Sequence, residues 1–169
     1  MPVKTFDIAA AREYPAFTLH PFFHKSGPMS WAAASVVDMG KVDKLIYLSG
    51  QTGRDPETDR KPLNWEEEHA GVGRVVGPGV TEQTTAAWQR IKETLDGLGA
   101  RLEDIIFIRY FLVYRDDYWD MRNATNTFFR EHAPDLADHP RAATLLREVG
   151  LALPTMRVEI EVVAATAKA

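Results

Sequence analysis

Ten consecutive residues, Ile105-Ile106-Phe107-Ile108-Arg109-Tyr110-Phe111-Leu112-Val113-Tyr114, put apolar side chains on both alternating faces of an extended chain. Successive side chains of a strand point to opposite sides, so neither side of such a run suits water. The run fits a strand covered by helices on one face and by a second subunit or a barrel interior on the other. Arg109 is the one charge inside it. A long cationic side chain there either snorkels or pairs at an interface, or it serves a site.

A second strand is expected at Leu45-Ile46-Tyr47-Leu48, and it breaks abruptly into Ser49-Gly50-Gln51-Thr52-Gly53. β-Branched and aromatic residues suit a pleated, half-buried surface, while Gly50 and Gly53 let the backbone turn or approach a ligand. A strand ending in Ser-Gly-Gln is a plausible floor for a site, and the plain alternative is a bulge or strand end without chemistry. Residues 30–37 read as a strand and 38–44 as a polar turn, so the simplest pairing is a hairpin between 30–37 and the Leu45 strand.

Two amphipathic helices carry the clearest periodicity. Over 81–98, Trp88, Ile91, Leu95 and Leu98 recur at steps of three and four while Gln89, Arg90, Lys92, Glu93 and Asp96 take the other face; Gly97 and Gly99 end the helix. Over 117–132, Tyr118, Met121, Thr125 and Phe128 repeat the spacing, and Pro134 follows the end. Residues 142–149 and 156–164 read as two more strands joined through Gly150 and Pro154. Asp7 followed by 8–14 and Pro15 reads as an N-capped short helix. It opens an arm, residues 1–30, that packs on a body of residues 31–169. The body carries a long loop at 54–79, in which Asn64 and Glu67 have the spacing of a helix-capping pair. The order is β-β-α-β-α-β-β, a two-layer α+β domain with its helices on one side of a mixed sheet.

Composition narrows the function. A chain of 169 residues that is 45% hydrophobic is ordinary material for one core. A net charge of −4 without a basic run leaves no electrostatic basis for binding nucleic acid or an anionic membrane. The absence of cysteine excludes disulfides, thiolate catalysis and thiolate metal sites. His20 and His24 flank Pro21 and have no third ligand at a recognisable spacing, so no metal site is read. Residues 1–10 lack the apolar run of a signal peptide, and no window reaches the ~20 apolar residues of a membrane span, so a cytoplasmic protein is expected.

Five short motifs in order then resemble one family. They are Leu48-Ser49-Gly50-Gln51, Glu82-Gln83-Thr84, the run Gly99-Ala100-Arg101-Leu102-Glu103-Asp104-Ile105, Phe128-Phe129, and Leu153-Pro154 leading into Val158-Glu159-Ile160-Glu161. From about residue 31 to residue 164 the chain resembles the Rid family, also called the YjgF/YER057c/UK114 or L-PSP endoribonuclease family. The resemblance implies a chorismate-mutase-like fold in a barrel-like homotrimer with ligand pockets at the subunit interfaces. It also implies hydrolysis of reactive enamines and imines without a metal or organic cofactor. Carried onto this chain, it makes Ser49 and Gly50 binders of a substrate oxygen or a water, and Glu159 the residue that holds or activates that water. The family's substrate-clamping arginine falls at Ala143, with Arg141 two residues upstream. Its aromatic at the pocket mouth falls nearest Trp31, and its helix asparagine falls at Arg122.

These residues support an enamine or imine deaminase in which Glu159 does acid–base work. The alternative is a non-catalytic trimer that binds a small ligand and regulates a partner. A cation facing Glu159 would separate the two, and Arg109, Arg122 and Arg141 are the candidates. The ribonuclease reading rests on the family's older name and fits poorly with an acidic chain lacking a basic stripe.

Overall fold

The computed structural model describes residues 6–8, 11–24, 27–28, 31–59, 64–70 and 74–169. In chain order the elements are β1 (Phe6–Ile8), β2 (Arg12–Glu13), β3 (Phe17–His20), β4 (Phe22–His24), β5 (Gly27–Pro28), β6 (Ala34–Val37), β7 (Val42–Thr52), α1 (Pro56–Asp59) and α2 (Trp65–Ala70). There follow α3 (Val80–Gly97), β8 (Ile105–Leu112), α4 (Tyr118–His132), α5 (Pro134–Asp138), β9 (Ala142–Arg147) and β10 (Val158–Ala167).

The central sheet has four strands in the order β7-β10-β8-β9. β10 runs antiparallel to both neighbours, and β9 runs parallel to β8. A parallel neighbour needs a crossover, which α4 and α5 supply. The last strand inserts between β7 and β8, so the segments with the strongest apolar alternation meet in the middle.

Both long helices lie on one face of this sheet. α3 buries Val80, Ala87, Trp88, Ile91 and Leu95, and α4 buries Met121, Ala124, Thr125, Phe128 and Phe129. They close on Leu48, Ile108, Tyr110, Leu112, Val158, Ile160 and Val162 from the sheet. Trp88 is the hinge of this layer: its ring meets Phe129 edge-on at 4.5 Å, and its Nε1 donates to Thr125 Oγ1 at 3.0 Å, so the one polar atom of a fully buried indole is satisfied. α3 stops where Gly99 adopts φ 73°, a left-handed turn that glycine takes without strain.

Several expectations change. β6 does not pair with β7: the turn after it, where Asp38 Oδ1 accepts from the Gly40 amide at 3.0 Å, sends β6 onto β3, while β7 spends its inner edge on β10. The hairpin is thus replaced by a switch between sheets, because β10 offers β7 a longer apolar partner than four-residue β6. The expected helix after Asp7 is also replaced: 6–8 and 12–13 are strands, and residues 9–10 lie outside the described set. A helix of that length is marginal alone, whereas pairing with β4 and β3 satisfies the backbone. Pro134 does not simply end a helix; it opens α5 at the position where its missing N–H costs nothing. In the loop, Asn64 Oδ1 accepts from the Glu67 amide at 2.9 Å and Glu67 Oε2 from the Asn64 amide at 3.2 Å, the reciprocal cap the spacing suggested.

The described residues cover the second face of β8 only in part. Ala16, Phe17 and Leu19 pack with Val42, Ile106 and Ala165, and Phe107 and Val163 lean on this cluster. Further along the same face, Leu45 and Tyr47 are 38% and 74% exposed.

Candidate functional site

The register of β7 against β10 locates the site. Val162 lies opposite Leu48 and Ile160 opposite Gln51, so Ser49 and Gly50 together face Glu161 alone. That two-against-one count is a β-bulge, a device that bends a strand and re-aims side chains. β7 therefore does not end at Ser49-Gly50-Gln51 as expected; it continues to Thr52, and Thr52 pairs with Glu159.

Gly50 has a steric reason to be glycine. A β-carbon there would overlap the Glu159 carboxylate, so the missing side chain lets that carboxylate lie against the β7 backbone. Glu159 lines a cavity of about 270 Å3 together with Gly50, Gln51, Arg54, Arg90 and Met156. Burial pushes its carboxyl above the ordinary glutamate value, the neighbouring Glu161 adds to the rise, and Arg54 opposes it. Ser49 is exposed on the bulge, and its carbonyl accepts from Gln51 Nε2 at 2.9 Å.

Gln83 holds the walls. A β-carbon at Gly53 would overlap the Gln83 backbone, so β7 and α3 touch there. The Gln83 amide donates to the carbonyls of Gly77 and Thr155 at 2.8 and 3.0 Å and accepts from the Arg157 amide at 2.9 Å. One fully buried side chain thus joins the two loops, and Met156 of the second loop lines the cavity. Arg157 is fixed in turn by a two-pronged contact to Asp117 at 2.8 and 2.6 Å.

The arginines expected at the site lie elsewhere. Arg109 donates to Glu161 Oε2 at 2.6 Å across β8 and β10, on the sheet face away from the helices. Arg141 is fully buried and donates to the carbonyls of Ile105, His139 and Glu103, to the Tyr14 hydroxyl and to Asp135. Its guanidinium also sits over the Tyr14 ring at 4.5 Å. Arg141 is therefore committed to joining the arm to the body and does not line the Glu159 cavity. Trp31, Arg122 and Ala143 share a different cavity of about 410 Å3, which Tyr118 and Arg147 also line. It opens beside the edge strand β9, where the Ala32 amide donates to the Arg141 carbonyl at 3.0 Å.

Two residues at the Glu159 cavity were not expected from the sequence. Arg54 follows the Gly53 break, and Arg90 belongs to the stripe of α3 assigned to solvent. Both are half-buried, and Arg90 Nε donates to Gln51 Oε1 at 3.3 Å. The available signal was weak: Arg90 lies one residue from the buried Ile91, at the margin of the apolar stripe.

The chain was compared with known proteins. A family model described as Endoribonuclease L-PSP matches residues 30–166. A RutC family protein of Pyrococcus abyssi is 29% identical over 94 residues, which span 56% of this chain and 63% of that relative. The 2-iminobutanoate/2-iminopropanoate deaminase of Mus musculus is 28% identical over 125 residues, 73% of this chain and 76% of its own length. A crystal structure from Yersinia pestis, described as a protein of unknown function of the conserved Rid protein family, superposes with a TM-score of 0.59 at 18% identity, covering 81% of this chain and 87% of that one. The two share the α+β fold.

Proposed function

Because the chain belongs to the endoribonuclease L-PSP or Rid family, we propose that it hydrolyses the C=N bond of a small imine, or of the enamine that tautomerises to it, without a cofactor. Relatives at about 28% identity are imine deaminases by name, which supports the reaction class. The observation that carries the proposal for this chain is Glu159: a carboxylate raised above its ordinary pKa, laid over a glycine at a bulge, in a cavity of about 270 Å3. A base with that rise is better matched to abstracting a proton from water than an ordinary carboxylate. Glu159 takes a proton from water as the water oxygen bonds to the imine carbon. Glu159 returns that proton to the nitrogen to give the carbinolamine, then relays the hydroxyl proton to the same nitrogen as the C–N bond breaks, and ammonia leaves a carbonyl product. The Ser49 hydroxyl and the Gly50 amide are the groups that hold the water or a polar atom of the substrate.

In this proposal the working unit is a homotrimer. The face of the central sheet away from the helices carries Leu45, Tyr47 and Phe111 beside the Arg109–Glu161 pair, and an adjoining copy covers it. The interface joins the Glu159 cavity of one protomer to the Trp31 and Arg122 cavity of another.

The test is ammonia release from 2-imino acids generated in situ, for wild type and Glu159→Gln. The substitution keeps size and hydrogen bonding but removes the ionisable group, so kcat falls by ~10² or more with little change in melting temperature. Wild-type turnover with an unaffected variant removes Glu159 from the chemistry. Ligand binding without turnover in either protein favours the regulatory trimer.

A further inference from the structure

We infer that the cavity of about 410 Å3 beside β9 receives an uncharged aromatic ring, so that the compound this chain selects is ring-bearing rather than a short aliphatic one. The cavity lies between the edge strand β9 and the first turns of α4, and its size falls in the ~300 to 1,000 Å3 range of small-molecule sites. Its walls are mainly apolar and aromatic. β9 turns Ala143 and Leu145 to the helix side, opposite Ile108 and Tyr110 of β8, and α4 adds Tyr118 and Met121. Trp31, 38% exposed, stands at the rim, and its chain is pinned because the next residue, Ala32, bridges to Ala142 and donates to the Arg141 carbonyl at 3.0 Å. Tyr118 is held as well: its ring meets Trp119 edge-on at 4.8 Å, and the Arg147 guanidinium lies 5.9 Å from its centre. A ring entering between such fixed rings gains stacked or edge-on contact beyond simple burial, and little freedom is lost from the site. The hydroxyl of Tyr110 is bonded to Thr125 and burial disfavours its ionised form, so a ring laid against it leaves no phenol unpaired. Charge points the same way. Among the described lining residues there is no aspartate or glutamate, while Arg122 and Arg147 are present, so the lining repels a cation and attracts the negative face of a ring. Ala143 supplies the room: its single methyl leaves open the part of the cavity that a longer side chain on β9 would fill.

The inference rests on the proposed function only for the joining of this cavity to Glu159, and its first test needs no turnover. Isothermal titration of the full chain is run with three uncharged amides: 3-phenylpropanamide, 3-cyclohexylpropanamide, which has similar bulk without the π face, and butanamide. Wild type binds the phenyl compound about tenfold or more tighter than butanamide, and tighter than the cyclohexyl one. Ala143→Leu fills the space, and Trp31→Leu keeps apolar bulk at the rim while removing the ring; each brings the phenyl compound down toward butanamide. The second variant changes a partly exposed residue, so the test survives if the first fails to fold. Wild type that binds none of the three amides overturns the inference. So does a cyclohexyl compound that binds as well as the phenyl one, or a preference for phenyl that survives both substitutions. Ammonia release is then compared for 2-imino-3-phenylpropanoate and 2-iminobutanoate. Selective ring binding without ammonia from either imine leaves the inference standing and ends the hydrolase reading. Turnover of 2-iminobutanoate with no preference for a ring in binding or in kcat/KM does the reverse.

Discussion

Gly50 and Glu159 constrain each other, because the space a β-carbon would need at one is filled by the carboxylate of the other. Gly50→Ala must therefore push Glu159 aside, and over-filling a packed site of this kind costs ~1 to 3 kcal/mol. Removing the carboxylate removes the clash, so in a Glu159→Ala background the same alanine is close to neutral. Denaturant unfolding of the two single variants and the double variant measures this coupling, and equal costs in both backgrounds would contradict the steric account. Ionisation adds a second expectation at the same residue. The carboxyl of Glu159 is raised above the ordinary 4.5, chiefly by burial. The stability it contributes is complete below that value and is lost as pH rises through the raised one. Glu159→Gln escapes that loss, so at neutral pH it melts no lower than wild type. The acid limb of wild-type kcat/KM lies above 4.5 and is absent from the variant's residual rate. A limb at the ordinary carboxylate value would separate Glu159 from the proton transfer.

At the scale of elements, one buried side chain, Arg141, joins the arm to the body beside the apolar packing of β3. Arg141 leaves β9's start to satisfy three carbonyls and to pair with Asp135, whose other oxygen accepts from Arg12 at 3.0 Å. Asp135 in turn accepts from the Tyr14 hydroxyl at 2.8 Å, and Arg12 and Tyr14 both belong to the arm. Arg141→Met removes the charge and every donor at once, taking that donor from three carbonyls and the buried cation from Asp135, which keeps Arg12 and Tyr14, at ~3 kcal/mol or more. Backbone amide exchange should accelerate across β2 and β3 well before it does in α3. Arg141→Lys recovers little, since one ammonium cannot reach acceptors spread around a planar fork. A loss under ~1 kcal/mol with unchanged exchange in β3 would show that the arm is held by its apolar contacts instead.

For the whole molecule, the described residues leave an apolar stretch of sheet around Tyr47 exposed. Tyr47 is 74% exposed on a strand whose other face is core, an arrangement that a second copy resolves. Light scattering is expected to return three copies of the 19.0 kDa chain, about 57 kDa. Tyr47→Lys places a charge in that contact and shifts the mass toward the monomer while near-ultraviolet circular dichroism stays native. A stable monomer in wild type at micromolar concentration would end both the trimer and the proposed joint pocket.

The sequence by itself determined α3, α4 and the strand character of β7, β8 and β10, because each depends on a period of apolar residues within one segment. The family resemblance, rather than any local pattern, pointed to Glu159, Ser49 and Gly50, and the fold lays the Glu159 carboxylate against Gly50. Only the tertiary structure decided which strands pair: a four-residue β6 could join either sheet, and the choice depends on what β10 and β3 offer from distant parts of the chain. The fate of the arginines was equally out of reach. Arg141 and Tyr14 lie 127 residues apart and Arg90 and Gln51 lie 39 apart, so whether each cation serves the core or the cavity depends on neighbours that no local pattern records. A period fixes which way a side chain points; only the folded chain fixes what it meets.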